Sequence, residues 1–490
     1  MKKYSIISYL LLLGITFLHA QPNFDWQQTF THADTLRGGL RPERTYYNVT
    51  FYHLDIQLDI EKRFIKGYND IEFRVIQDFE RMQLDLFENM TISKIEYLGK
   101  DVLWVREENA FFVTLPKQKK GNLSKIRVYY EGNPIVAQHA PWDGGFVFSK
   151  DSEGNPWLGV ACEGIGASLW WPNKDHLSDE PDSMAISIAV PTGLSCVCNG
   201  RLRSQDTLTN GYTRFNWFVS YPINNYNVTF NIAKYAHFSD IYTSKDGSTL
   251  DLDYYVLPNN LDKAKKQFEQ AKTMLEAYEY YFDKYPFWRD GYKLVETSYL
   301  GMEHQSAIAY GNKYMRGYLG GGIPQNMKWD YIIIHESGHE YFGNSISSND
   351  HADMWIHESF TTYLEALYVE YTLGRNEVNN YLDYQKHNIL NQQPIIGPKG
   401  VNFDNWVSSD HYYKGAAILH TLRKAIGDDA VWFGLIKTFY QKYKYQNISN
   451  EDFFNYVNTY TKKNYAAFFA QYLFYPTLPT FEYKTVQKRS

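Results

Sequence analysis

The first half of the chain alternates apolar and polar residues with the period of a β-strand. From Val49 to Ile60, the apolar side chains of Leu54, Ile56 and Leu58 alternate with acidic and amide side chains. This alternation predicts a half-buried strand. Three similar runs predict further strands: Phe111–Leu115, Ile126–Tyr130 and Ile186–Val190. Many short strands separated by turn residues predict a sandwich or saddle-shaped sheet domain, which we assign to residues 21–245.

The apolar spacing becomes helical after about residue 258. Ala264, Phe268, Ala271 and Leu275 fall on one stripe, which predicts a helix over Leu261–Phe282. A short strand is predicted next, and beyond it the chain is mainly helical. The predicted elements of this part are a strand over Tyr292–Leu300 and helices over Trp329–Ile346 and Glu358–Leu373.

Helix-capping residues punctuate this second half. Gly374 and Gly427 stand where helix C-caps are expected, and Ser449 followed by Asp452 matches a capping box. We therefore predict an α+β multidomain protein, with the β domain followed by a mainly helical domain over residues 246–480. Residues 481–490 are predicted to be a C-terminal tail, and the boundary near 240–250 is soft because no low-complexity linker marks it.

The N-terminus has the pattern of a secretory signal peptide over residues 1–20. Lys2 and Lys3 precede 15 uncharged residues, and Leu18-His19-Ala20 is similar to a small-residue cleavage site. The apolar run is shorter than the ~20 residues that span a bilayer, although a membrane anchor is the alternative. We expect an exported protein, periplasmic or extracellular, with no membrane span after cleavage.

Charge and cysteine content narrow the possible functions. The formal net charge of −6 argues against nucleic-acid binding, which requires basic surfaces. The three cysteines are too few for a disulfide framework. Cys196 and Cys198 share one strand face and are poorly placed to bond each other, so we expect core residues, or at most one bridge involving Cys162.

His335-Glu336-Ser337-Gly338-His339 is an H-E-x-x-H sequence within a predicted helix. Positions i and i+4 of a helix share one face, so both imidazoles can reach one zinc ion at ~2.0–2.1 Å. Glu336 lies about 100° around the axis, where it can act as a general base on a metal-bound water. Gly338 costs up to about 1 kcal/mol against alanine, which suggests that something approaches the backbone closely there.

Catalytic zinc sites use three protein ligands and keep one position open. Glu358 is the third candidate, because the 18 residues that separate it from His339 leave room for a loop and a returning helix. Glu365 lies two turns further along the same face and can orient a ligand. By itself H-E-x-x-H is often only a polar helix face, so the additional acid is what favours one zinc ion per chain.

With these motifs in place, the chain resembles the M1 family of zinc aminopeptidases, gluzincins related to aminopeptidase N and leukotriene A4 hydrolase. Over roughly residues 45–475 four motifs of the family occur in order. They are G-x-M-E-N, with a shorter glycine run, at Leu300–His304, H-E-x-x-H with a glutamate after 18 residues at His335–Glu358, W-L-N-E-G-F at Trp355–Phe360 and Y-x-K-G at Tyr412–Gly415. The resemblance implies a thermolysin-like catalytic domain and a short form that lacks the large C-terminal helical domain of many relatives.

The resemblance also implies roles for individual residues. Glu303 would bind the free α-ammonium of the substrate, and Glu163 would be a second acid beside it. Tyr412 would donate a hydrogen bond to the tetrahedral oxyanion, and Gly301 and Met302 would line the substrate strand and the first side-chain pocket. Alternatives remain for three of these residues: a solvated acid at Glu303, an ordinary loop acid at Glu163, and Tyr413 as the phenol in place of Tyr412.

The departures from the family motifs include His304 and His357 in place of asparagine and Ser359 in place of glycine. His304 is expected to alter the amine site or to titrate near pH 6–7. We predict hydrolysis of the N-terminal peptide bond of peptides with a free N-terminus. A zinc endopeptidase, a non-catalytic peptide-binding protein and an epoxide hydrolase side activity are the alternatives.

Overall fold

The computed structural model describes residues 24, 26, 28–480 and 482–484. The predicted signal peptide, residues 1–20, lies outside the described residues, as does most of the predicted tail. None of the described helices is both long enough and apolar enough to cross a membrane.

Two short helices precede a part of the chain that is built from strands. The helices are α1, His32–Gly38, and α2, Pro42–Thr45. The strands that follow are β1 Tyr47–Asp59, β2 Phe64–Val75, β3 Phe79–Asp85, β4 Met90–Tyr97, β5 Lys100–Asp101, β6 Trp104–Glu107, β7 Ala110–Gln118, β8 Leu123–Gly132, β9 Gly145–Lys150, β10 Pro156–Ala161, β11 Ser183–Pro191, β12 Ser195–Cys198, β13 Arg201–Thr207, β14 Tyr212–Val219 and β15 Phe230–Ala233. All four strands predicted in this part are therefore confirmed.

An eight-stranded sheet in the order β13-β14-β11-β1-β2-β8-β4-β5 is the largest layer of this part. β1 lies inside it, antiparallel to β2 and parallel to β11. Its apolar residues Leu54, Ile56 and Leu58 are at most 1% exposed, as the alternation predicts. Two smaller sheets, β12-β15-β10-β9 and β3-β7-β6, complete the β domain.

A five-stranded sheet, β16-β17-β18-β20-β19, joins the β domain to the helices. Its strands are β16 Ala236–Thr243, β17 Thr249–Val256, β18 Tyr292–Glu296, β19 Gly301–Met302 and β20 Ile308–Tyr310. The strand predicted over Tyr292–Leu300 thus ends at Glu296. β16 and β17 pair across residue 245, and the domain boundary placed there stays a prediction.

The remaining described chain is mainly helical, with one small two-stranded sheet formed by β21 Ile346–Ser348 and β22 Gln446–Ile448. The helices are α3 Leu261–Gln267, α4 Gln270–Tyr281, α5 Tyr331–His339, α6 Trp355–Leu373, α7 Arg375–Gln385, α8 Asp410–Ile426, α9 Asp429–Tyr443, α10 Asn450–Thr461 and α11 Ala466–Leu473. Gly374 and Gly427 cap α6 and α8, and Ser449 with Asp452 forms the predicted capping box.

Two helix predictions were wrong in extent. The helix predicted over Leu261–Phe282 is broken into α3 and α4 by a turn at Phe268 and Glu269. The helix predicted over Trp329–Ile346 spans only α5. Asp330 caps its start by accepting hydrogen bonds from the Ile332 and Ile333 backbone amides. Beyond its end Gly343 adopts a φ of +126°, which a right-handed helix does not allow.

Two hydrophobic cores meet at the place where α5 and α6 lie. One core fills the helical part, and the other fills the β domain. Met302 and Met354 come from the second half of the chain yet pack into the β-domain core. A cavity at this boundary is lined by residues from both parts of the chain.

The three cysteines are free and buried, as expected for core residues. The Sγ atoms of Cys196 and Cys198 are 3.9 Å apart on β12, and Cys162 donates to the Tyr226 carbonyl at 3.3 Å. No bridge involving Cys162 is formed.

Candidate active site

α5 and α6 bring His335, His339 and Glu358 together. The two Nε2 atoms are 3.2 Å apart, and Glu358 Oε2 lies 3.5 Å from His335 Nε2 and 3.3 Å from His339 Nε2. All three residues are at most 5% exposed. The helical spacing of the two histidines and the return of the chain through α6 produce this arrangement, as the sequence predicts.

The geometry of these three atoms fits a zinc ion. Ligand atoms at ~2.0–2.1 Å from a tetrahedral ion lie about 3.3–3.4 Å from one another, which matches the three separations. Glu358 Oε2 is buried and makes no hydrogen bond within the described part of the chain. A buried carboxylate oxygen without a partner is costly unless a cation satisfies it.

Gly338 lets α6 approach α5 closely. A Cβ atom at this position would lie 3.0 Å from the Thr361 Cγ2 atom. The close approach expected from the glycine is therefore that of the helix that carries Glu358. Thr361 Oγ1 also contacts His339 Nδ1 at 3.2 Å, which helps to hold the ring.

Glu365 contacts the other ring nitrogen of His335. Its Oε1 lies 2.5 Å from His335 Nδ1, and its Oε2 accepts hydrogen bonds from the Tyr381 hydroxyl and the Gln385 amide. Such a carboxylate fixes the ring orientation and makes the imidazole a stronger ligand. Sequence reasoning found Glu365 from its position on the helix face but gave no sign of Tyr381 or Gln385.

Glu336 faces the cleft beside the two histidines. Burial raises the pKa of its carboxyl to about 7, although the neighbouring His335 and His339 lower it. A Cβ atom on Gly301 would lie 2.9 Å from Glu336 Oε1 and 2.8 Å from the Ile332 side chain. Glycine at position 301 thus allows β19 to run directly past the carboxylate.

Glu303 and Glu163 form a pair of carboxylates beside the three candidate ligands. One oxygen of each acid lies within 4.8 Å of the other and of Glu358. Burial raises the pKa of both carboxyls, and the charge of Glu303 raises that of Glu163 further. A cation between them would relieve this repulsion. The Tyr226 hydroxyl, which sequence reasoning missed, donates to Glu303 Oε1 at 3.0 Å.

His304, which follows Glu303, is fully buried. Burial lowers the pKa of its imidazole to about 3, so it does not titrate near pH 6–7 as its residue type suggested. Neither of its ring nitrogens has a hydrogen-bond partner among the described residues.

Tyr412 lies at the start of α8 and faces the same cleft. Its ring stacks on His335 with 5.9 Å between ring centroids. Burial and the charge of Glu358 raise the pKa of the phenol well above its ordinary value, so it stays a hydrogen-bond donor. Tyr412 lines the cavity of the site, whereas Tyr413 is not among the described residues that line this cavity.

A cavity of about 180 Å³ joins the residues predicted for the site. The predicted members that line it are Glu163, Gly301, Met302, Glu303, His335, Glu336, His339, Glu358 and Tyr412. Six residues that sequence reasoning missed also line it: Pro141, Trp142, Met354, Asp404, Trp406 and His411. Their motif signals are weak because they come from loops and helix starts that are far apart in sequence.

Comparisons with protein families and with curated proteins both find similarity to M1 peptidases and aminopeptidases. Residues 266–472 match the Peptidase family M1 domain. Endoplasmic reticulum aminopeptidase 1 of Homo sapiens is 27% identical over 348 residues, which are 67% of this chain and 35% of that protein. Probable aminopeptidase 2 of Sulfurisphaera tokodaii is 22% identical over 423 residues, which are 82% of this chain and 50% of that protein. The chain therefore spans about half or less of these curated relatives.

Solved structures share the fold. The M1 zinc metallopeptidase of Deinococcus radiodurans is similar with a TM-score of 0.71 and 19% identity, over 89% of this chain and 96% of that chain. Yeast LTA4 hydrolase is similar with a TM-score of 0.73 and 16% identity, over 89% of this chain and 69% of that chain. The predicted fold class, a β domain followed by a mainly helical domain, is confirmed.

Proposed function

From the match of residues 266–472 to the Peptidase family M1 domain, we propose that the chain is a zinc-dependent aminopeptidase of this family. It would remove the N-terminal residue from peptides that carry a free amine. The observation that carries the proposal is the presence of two acids, Glu303 and Glu163, within 4.8 Å of a candidate zinc ligand. The curated relatives named above are aminopeptidases, which supports the same activity.

The two acids give a physical reason for exopeptidase action. A substrate ammonium between Glu303 and Glu163 would be paired with both. A blocked or internal peptide would leave the buried Glu303 and the half-buried Glu163 without a cationic partner. The enzyme would thereby count one residue from the N-terminus. A zinc endopeptidase on the same scaffold has no use for these paired acids, and this disfavours it.

The remaining residues have roles in the hydrolytic step. His335, His339 and Glu358 would hold zinc, which as a Lewis acid would polarise the scissile carbonyl. Glu336 would take the proton of the attacking water and pass it to the leaving amine. Tyr412 would donate a hydrogen bond to the oxygen that becomes negative in the transition state, where this bond gains strength.

A non-catalytic peptide-binding protein is the second alternative. Such a protein is expected to have lost the general base or a ligand, yet Glu336 and the three ligand residues are all present and face one cavity. We also propose that the protein is exported. The support for export is the pattern of residues 1–20, with two lysines before an uncharged run.

The proposal is tested by removing and restoring the metal. Cleavage of a leucine chromogenic substrate is measured on the purified protein, after treatment with a chelator and after zinc is added back. We expect activity to disappear with the chelator and to return with zinc, and we expect no activity from His335→Ala under any of these conditions. Activity that survives complete metal removal would contradict a zinc mechanism.

A further inference from the structure

The hydroxyl of Tyr226 lies between Glu303 and a histidine on the ligand-bearing helix. Tyr226 Oη is 3.0 Å from Glu303 Oε1 and 3.4 Å from His357 Nδ1. The other nitrogen of that ring, His357 Nε2, is 2.8 Å from the Ser348 backbone amide. All three side chains are at most 3% exposed, so water does not compete for these bonds.

The chemistry of the groups fixes the direction of each hydrogen bond. A backbone N–H can only donate, so His357 Nε2 must accept from Ser348 and carries no proton. The single N–H of the neutral ring is therefore on Nδ1, where it points at the Tyr226 oxygen. Because that oxygen accepts from His357, its own hydrogen is free to point at Glu303 Oε1. The bonds run in one direction, from Ser348 through His357 and Tyr226 to Glu303.

The backbone around this chain of bonds is also fixed. The Tyr226 carbonyl accepts from Cys162 Sγ at 3.3 Å, one residue before Glu163. The carbonyl of Glu303 accepts from the Asn344 amide at 2.7 Å. Tyr226 thus contacts both segments that carry the paired acids, while His357 precedes Glu358 on α6.

We propose that Tyr226, oriented by His357, is a positioning residue that holds Glu303 in the geometry needed to bind the substrate ammonium. The inference rests on the proposed aminopeptidase function and adds a residue to it. One carboxylate oxygen of Glu303 is occupied by the tyrosine, which directs the other toward the substrate. A carboxylate that is already fixed loses less conformational freedom when the ammonium binds. This arrangement explains why a histidine stands at position 357 in place of the family asparagine: its ring links the Ser348 amide to the Tyr226 hydroxyl.

The direct test is Tyr226→Phe, which removes only the hydroxyl. We expect KM for a free-amine peptide to rise about tenfold while kcat stays within about twofold, because a hydrogen bond to a charged group is lost from the binding site. The matched control is Tyr130→Phe, since Tyr130 is equally buried in the β domain and its hydroxyl has no partner among the described residues. Zinc content and the unfolding midpoint are measured for both variants.

A double-mutant cycle tests the part played by His357. An asparagine at 357 is too short to reach from Ser348 to Tyr226, so His357→Asn is expected to raise KM about threefold to fivefold. In the double variant, Tyr226→Phe with His357→Asn, the two increases in KM should not multiply, because both substitutions break the same chain of hydrogen bonds. Multiplied effects, or no effect of His357→Asn on KM, would overturn the role of His357.

Binding of L-leucinamide and of N-acetyl-L-leucinamide to the zinc-loaded proteins, measured by calorimetry, gives a readout that does not depend on turnover. We expect wild type to bind only the free amine, and Tyr226→Phe to bind it about tenfold more weakly. Equal affinity in wild type and Tyr226→Phe would overturn the inference while leaving the aminopeptidase proposal intact. If wild type binds the free amine but cleaves no peptide, the proposed function fails and the positioning role stands on the binding data. Absence of amine binding in wild type overturns the positioning role.

Discussion

At the scale of single residues, two acids four positions apart, Glu336 and Glu340, have different surroundings. Glu336 lines the cavity, whereas the adjacent acid on the same stretch, Glu340, accepts from the Ser306 backbone amide and is not part of the described lining. The same Glu→Gln change at these two positions therefore separates proton transfer from loss of a buried acid.

We expect Glu336→Gln to lower kcat by about 10²–10⁴-fold with zinc content unchanged, because a positioned general base contributes about that much. Glu340→Gln, used as the matched control, should retain wild-type kcat within a few-fold. Steady-state kinetics on one chromogenic substrate, with zinc measured by elemental analysis, makes the comparison. A Glu336→Gln enzyme that turns over at the wild-type rate would rule out the assigned base.

Glu365 offers a second prediction at this scale. Its contact with His335 Nδ1 makes the imidazole a better ligand, so Glu365→Gln should weaken zinc binding about tenfold to a hundredfold while the ring keeps a hydrogen-bond acceptor beside it. Competition with a fluorescent chelator measures the zinc affinity. An unchanged affinity would mean that Glu365 serves only to pack α6 against α7.

The sequence predicted the residues of the site far better than it predicted the residues that hold them in position. His335, His339 and Glu358 follow from helical periodicity and ligand spacing, and the structure brings them together. Tyr226 stands in a short turn in the β domain, and its contact with Glu303 depends on how two domains pack. No local pattern of one sequence carries that information.

At the scale of elements, the start of α5 carries a pH-dependent contribution to stability. Asp330 caps this helix while fully buried, and burial raises the pKa of its carboxyl to about 6. The folded chain therefore holds a proton that the unfolded chain releases above about pH 4. This contribution is fully present below about pH 4 and is lost as the pH rises through about 6.

Asp330→Asn removes that titration and keeps a residue that caps helices well. We expect the stability of wild type relative to the variant to fall by about 2 kcal/mol between pH 4 and pH 7. Urea unfolding of both proteins measures this difference, in which the pH dependence of the shared metal site cancels. A difference that does not vary with pH would show that Asp330 is not protonated in the folded chain.

The packing of α6 against α8 explains another departure from the family motifs. Ser359 Oγ donates a hydrogen bond to the His411 carbonyl at 2.6 Å. A Cβ atom on Gly415 would lie only 1.6 Å from Ser359 Oγ. Glycine at 415 therefore leaves room for the serine that replaces a glycine at 359.

Gly415→Ala should destabilise the protein by about 1–2 kcal/mol, because overpacking outweighs the better helix propensity of alanine. In a Ser359→Gly background the space is free, and the same substitution should be neutral or stabilising. Denaturant unfolding of the four proteins in this cycle gives the result. An equal loss in both backgrounds would contradict the assigned contact.

Element types were predictable and element ends were not. The strand alternation in β1 and the caps at Gly374 and Gly427 are local signals, and the structure confirms them. The predicted helix through Ile346 ignored the turn that follows His339, where the positive φ of Gly343 redirects the chain. No glycine or proline stands at the break after Gln267, so the apolar periodicity predicted one continuous helix where the structure has α3 and α4.

At the scale of the whole molecule, the site depends on both domains. Glu163 and Tyr226 come from the β domain, while the three candidate ligands come from α5 and α6 of the helical domain. Met302 and Met354 pack into the β-domain core, which ties the two halves together at the cleft. The proposed selection of a free amine would therefore depend on residues of both domains.

That selection is tested most directly by two peptides that differ only in acetylation of the N-terminal amine. The ratio of kcat/KM for the free peptide to that for its acetylated twin is measured on the zinc-loaded protein. We predict a ratio of at least about 10³, because the acetylated peptide would leave the buried carboxylate of Glu303 and the half-buried carboxylate of Glu163 without a cationic partner. A ratio near one would contradict the amine-anchoring role and would favour a zinc endopeptidase.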